Sequence, residues 1–284
     1  MRPRVRHKRI FSCVALPGSG KDKQMIYALL LLICFLASII GSICGIGGGV
    51  IIKPVMDSIG LYDVKTISFL SGCTVLSMSA YTVVVSGITQ KNSINFKIGT
   101  PLAIGAAVGG ILGKAAFQSM ISRYDQNSVG AVQAAALIII TAGTLLYTVF
   151  KSRIPTLRVK NLGACILIGA LLGIMSSFLG IGGGPVNLII LYYFFSMPTQ
   201  AAVRNSLYII LFSQISSLLH SIILKTIPSF SLGILILMSA GGILGGFFGH
   251  RINKKIKSKT VECLFISLMI VIIFMNILNL IKYS

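Results

Sequence analysis

The chain has 284 residues, of which 55% are hydrophobic and 11% charged, with a mean hydropathy of +0.92. Soluble domains carry roughly 25% charged residues, so this chain has too little polar surface for a water-soluble globule and is read as a membrane protein. Asp and Glu number 5 against 25 Lys and Arg, which excludes carboxylate-dyad enzymes and multi-carboxylate metal cages; no cofactor, metal or catalytic activity is expected.

Residues 1–24 carry seven Lys/Arg and one Asp and are expected to form a disordered basic tail. The apolar run Phe11–Leu16 within them is too short for the core of a signal peptide. The long apolar runs begin at Met25, which is a second candidate for the start of the working chain. From there charge-poor runs predict long helices near 25–44, 65–86, 97–120, 129–150, 161–179, 199–224, 229–249 and 261–281. Each is close in length to the ~20 residues needed to cross the hydrocarbon core. Lipid tolerates no open backbone, and the runs are too long for alternating barrel strands. The expected fold class is an all-α polytopic membrane protein.

The chain also repeats itself. Gly45-Ile46-Gly47-Gly48-Gly49 recurs as Gly180–Gly184, and Gly109-Gly110-Ile111-Leu112-Gly113 recurs at nearly the same offset as Gly241–Gly245. Two repeats are therefore expected, 25–150 and 161–284, joined by a basic loop at 151–160. Each holds a glycine-broken element followed by three long helices. Such duplication is typical of secondary transporters, whose sites lie between repeats at discontinuous helices.

Of the net charge of +20, segments 1–24, 151–160 and 250–260 contribute six, four and five. Lys/Arg beside apolar segments is the mark of cytoplasmic loops, so no nucleic-acid partner is expected. If each broken element crosses once, the repeats run parallel. If it turns back at the glycines, each repeat has an odd number of crossings and the two are inverted. Residues 161–196 would span about 54 Å as one helix, too much for one crossing of a core about 30 Å thick. Turning back also places Lys91, Lys97 and the loops 151–160 and 250–260 on one side. Inverted repeats are favoured. The basic tail opposes that orientation.

Three consecutive glycines disfavour a continuous helix. After the breaks come the short apolar pieces Val50–Ile59 and Pro185–Ser196. Pro185 suits the first position of a new helix, and a glycine nest feeding a helix N-terminus is a ready anion site. The glycines of 109–113 and 241–245 are expected to serve close helix packing. Few ionisable groups interrupt the apolar runs: Lys53, Arg204 and His220. Lys53 and Arg204 are candidates for binding an anion or for snorkelling to an interface; His220 is expected at an interface. Asn187, Asn205, Ser206, Ser213 and Gln214 can bind a ligand or join helices. Asp57 and Asp63 are read as loop-side, leaving no acid deep in a segment. The six cysteines form no CxxC pair and read as small hydrophobes.

The Gly-x-Gly-Gly-Gly break with Pro54 five residues on resembles the sulfite exporter TauE/SafE family, as does the second copy followed by Pro198 and Arg204-Asn205-Ser206-Leu207. The likeness runs from about Met25 to Ile281. Lys53 and Ile189 depart from it, since the family has an apolar residue before the first proline and the second copy carries its proline at Pro185. The resemblance implies a bacterial cytoplasmic-membrane permease for small anions, often sulfur-containing, such as sulfite or organosulfonates. Carried over, the implied site is Gly47, Gly48, Gly49, Gly182, Gly183 and Gly184, with Asn205 and Ser206. The expected partners are a small anionic substrate and the lipid bilayer; association into a homo-oligomer is left open. A non-transporting membrane scaffold and a cysteine-dependent redox protein are the rival readings.

Overall fold

The computed structural model describes residues 20–89 and 94–283. Among them there are ten α-helices and no strands: α1 Gly20–Cys44, α2 Gly49–Ile59, α3 Val64–Thr89, α4 Phe96–Arg123, α5 Gln126–Phe150, α6 Leu162–Leu179, α7 Pro185–Phe195, α8 Thr199–Ile223, α9 Leu232–Lys255 and α10 Ser258–Tyr283. Eight are long and apolar enough to cross a membrane; α2 and α7 are not. With 11 residues each, these two reach about 16 Å, half of the hydrocarbon core. The basic tail at 1–19 lies outside the described residues, as does Lys91. Residues 20–24 are helical and extend α1, so the boundary drawn at 24 is corrected.

Polar ends follow local chemistry. Asp125 caps α5, its carboxylate accepting from the Ser128 N–H and hydroxyl, and these bonds hold its pKa below the usual carboxylate range. Asn161 caps α6 by accepting from Gly163 N–H.

Helices α4 and α6 form the most extensive pair, followed by α1 with α9. The α4–α6 seam has almost no side chains between its backbones. A Cβ added at Gly105, Gly109 or Gly113 would collide with a carbonyl oxygen of Ile166, Ala170 or Ile174, and one at Gly169 or Gly173 with that of Leu102 or Ala106. Glycines at every fourth position line one helix face and let backbones touch, which drives helix association where lipid supplies no hydrophobic gradient. Gly241, Gly245 and Gly249 do the same for α9 against Leu31, Phe35 and Ile39 of α1. The packing role read for these glycines is what the structure has. Gly109→Leu is accordingly expected to cost roughly 3 kcal/mol, seen as a lower midpoint in a detergent-denaturation titration. An unchanged midpoint would mean the seam opens freely.

Helices α3 and α8 pack against each other in the middle, α3 also against α9 and α8 against α4, while α5 and α10 pair. The basic segments meet at one end of this bundle. Lys151 pairs with Glu262 at the start of α10, Thr199 of α8 donates to the same carboxylate, and Gln200 donates to Ile256 O. Asn95 N–H, before α4, donates to Asn205 of α8. At the opposite end Lys282 of α10 donates to the carbonyls of Asp57 and Ser58, at the C-terminus of α2.

Candidate functional site

Both glycine segments interrupt their helices. At the first, α1 ends at Cys44, and Gly45 and Gly47 have φ of 72° and 77°. A Cβ added at Gly48 would lie 3.2 Å from Ser38 Cα, and one at Gly41 would lie 2.5 Å from Gly48 N. A continuous helix would instead separate Ser38 and Gly48 by about 15 Å. Gly48 thus lies beside the helix the chain has just left. At the second, α6 ends on Gly180 in the left-handed conformation, and α7 opens at Pro185.

The two breaks touch each other in the middle of the bundle. A Cβ at Gly49 would strike the carbonyl oxygen of Ile181, and one at Gly47 would lie 3.4 Å from the carbonyl oxygen of Gly182. Val75 of α3 packs against both Gly47 and Gly182, and Ile210 of α8 against Gly47 and Gly183. Val75 and Ile210 are separated along the chain by the same interval as Gly45 and Gly180. The pattern recurs: Gly45 abuts Val203 of α8, and Gly180 abuts Ser68 of α3, a pair with that same interval between them. The first N–H groups of a helix have no intrahelical acceptor and carry the positive end of its dipole. Those of α2 and α7 lie at this meeting point.

Hydroxyls surround it. Ser38 lies against Gly48, Ser71 against Gly49 and Ser68 against Gly180. All three Oγ atoms are buried without a hydrogen-bond partner. Unpartnered buried hydroxyls cost free energy unless an acceptor or donor arrives. These three serines were not among the residues singled out above. The signal for one was present, since Ser71 and Ser206 are separated along the chain by the same interval as the glycine breaks.

The residues read from sequence divide. Gly47, Gly48, Gly49, Gly182, Gly183 and Gly184 are gathered at the contact. Ser206 joins them, its hydroxyl donating to Gly45 O at 2.5 Å. Asn187 lines a cleft beside the second break with Ser176, Gly183 and Gly184; its volume of about 10 Å³ holds roughly one water. Gln214 donates to Ser176, and Ser213 lies 3.5 Å from Ser177. Asn205 faces elsewhere: its Oδ1 accepts from Asn95 N–H, and its Nδ2 donates to Ala201 O. Arg204 is half-buried and interacts electrostatically with His250 near the end of α9. His250 is buried beside Ser86, with 3.3 Å between Nδ1 and Oγ. Lys53 neither snorkels nor faces the break. It is 1% exposed and forms an ion pair with Asp57 at 2.9 Å, one turn on. Asp57 is itself buried, which corrects the reading of it as loop-side.

A bundle of membrane-length helices around two broken helices that meet at a buried polar centre is the build of a multi-pass membrane permease. The chain belongs to the sulfite exporter TauE/SafE family, whose model matches residues 30–275. It is 22% identical to probable membrane transporter protein YunE of Bacillus subtilis, over 84% of this chain and 92% of the relative. It is 25% identical to probable membrane transporter protein MJ0441 of Methanocaldococcus jannaschii, over 86% and 93%. No solved structure matches it.

Proposed function

We propose that the protein is a secondary permease for small sulfur-containing oxyanions, sulfite, a sulfonate or a related species, held where the two glycine breaks meet. The observation that carries this reading is the convergence of two helix N-termini with three unpartnered buried hydroxyls, Ser38, Ser68 and Ser71. Donors and positive dipole ends suit an anion. The only buried acid among the described residues, Asp57, is neutralised by Lys53. Tetrahedral and pyramidal oxyanions offer several acceptor oxygens to such a ring of donors. An uptake panel in proteoliposomes tests this, with sulfite, sulfate, isethionate and chloride supplied at equal concentration. Accumulation of sulfite or isethionate above protein-free vesicles is the expected result. A panel in which no oxyanion enters sinks the reading.

The same proposal includes inverted repeats. Leu157 and Val159, before α6, donate to Tyr193 O and Phe194 O at the end of α7, which supports a broken element that returns to its starting side. Tyr27 near the start of α1 and Tyr62 just after α2 pack in one cluster, the matching arrangement in the first half. The contacts pair off accordingly, α4 on α6 with α9 on α1, and α10 on α2 with α5 on α7. With the basic loops cytoplasmic, cysteines placed at Arg153 and Ser258 in a cysteine-free background are expected to label from the cytoplasmic side, and one at Tyr124 from the other. Labelling of the first two from opposite sides contradicts inverted repeats.

A further inference from the structure

Lys114 plays no part in the site at the breaks. It lies inside α4, 5% exposed. Its ammonium sits 5.1 Å from the Phe117 ring centroid, on the side of Lys65 and Cys73 of α3. The two ion pairs among the described residues leave it without a carboxylate. Cation–π contact offsets only a small part of the cost of burying a charge.

Packing does not call for this lysine. The glycine repeat aligns Lys114 with Gly246, just as it aligns Gly113 with Gly245, and Gly246 packs against Met78 and Thr82 of α3. One copy thus carries a buried cation where the other has no side chain at all. Intramembrane charges of this kind mark ion or substrate paths.

An open vestibule of about 540 Å³ lies nearby, at the end of the bundle opposite the basic loops, lined by Lys65, Gln118, Ser119, Ser122, Gln126 and Thr226 among others. No carboxylate lines it. Gln118 is one helical turn from Lys114 toward this opening and donates to Thr226. Lys65, half-buried, lines this entrance, and Lys114 lies buried one helical turn inward of Gln118; among the described residues neither pairs with an acid.

We propose that Lys114 and Lys65 form a second anion site, separate from the glycine breaks, which takes a small oxyanion as it enters or leaves through this vestibule. The ligand class rests on the permease reading; the site itself rests on the uncompensated charge. The second site gives the passing anion a charged resting place on one half of its path and leaves the other half without the equivalent.

Equilibrium binding of radiolabelled sulfite and sulfate to the purified protein in nanodiscs of zwitterionic lipid tests it. In Gly183→Leu, which fills the site at the breaks, one saturable oxyanion site is expected to remain. Adding Lys114→Gln weakens that binding about tenfold or more, as loss of a charged hydrogen-bond donor does, and Lys114→Arg retains it. In the otherwise wild-type chain, Lys114→Gln lowers the number of sites bound by one, so the test does not depend on how Gly183→Leu folds. Unchanged affinity and stoichiometry on Lys114→Gln, or no saturable oxyanion binding in the wild type, overturns the site. Failure of the permease reading looks different: no oxyanion crosses the membrane, whatever is bound at Lys114.

Discussion

Gly183→Leu is expected to abolish oxyanion transport, by roughly 100-fold or more, in a chain that still inserts in the membrane. Gly183 has φ of 135°, a conformation that costs a side-chain-bearing residue strain. Its added Cβ would also run into the Ile210 side chain of α8. Both effects push the second break away from the first, and displacement of about 1 Å in a positioned site costs on the order of 100-fold. Gly48→Leu separates strain from filling. Gly48 has φ of −65°, which any residue adopts, yet its Cβ would lie 3.0 Å from the Ser38 hydroxyl. Loss of transport in both variants, with normal surface labelling, is the expected pattern. Normal transport by both would show that the breaks do not hold the substrate.

Lys53→Gln has the second large effect, and it falls on stability. The Lys53–Asp57 pair is buried on α2, with side chains 1% and 6% exposed. Removing one member of such a pair leaves an uncompensated charge and costs about 3–5 kcal/mol. The double change Lys53→Met with Asp57→Leu removes both charges and is expected to recover most of that loss. Arg204→Gln behaves differently. Arg204 is half-buried on α8, so its replacement is expected to reduce transport with a smaller change in stability. Denaturation midpoints for the three variants, set beside uptake rates, distinguish the cases. A Lys53→Gln midpoint equal to wild type would contradict the buried pair.

The eight long helices were legible because lipid leaves a chain few options: apolar runs long enough to span the hydrocarbon core must be helices, and charges mark their ends. The break positions were legible in the glycine triplets for the same reason, since the freed backbone must be satisfied within the protein. What sequence reasoning could not do was aim side chains. Arg204, Asn205 and Ser206 are consecutive on α8, and successive helical residues point about 100° apart. One spot cannot receive all three. Ser206 reaches the break, Asn205 is engaged by the start of α4, and Arg204 lies near α9. Lys53 and Asp57 stand at the i, i+4 spacing of a helical ion pair. That pattern is readable in the sequence, although the turn at Gly60 just beyond Asp57 draws the residue toward a loop reading. Ser38 and Ser68 carry no local signal; only the folded chain brings them to Gly48 and Gly180.

The backbone contact between Gly49 and Ile181 makes the two breaks one thermodynamic unit. With no side chain between them to act as a spring, the first break cannot advance toward the second without moving it. On the proposed reading, free energy that an anion gains by shifting one break is also felt at the other. A substitution that displaces the second break is therefore expected to displace the first as well, although α2 itself is unaltered.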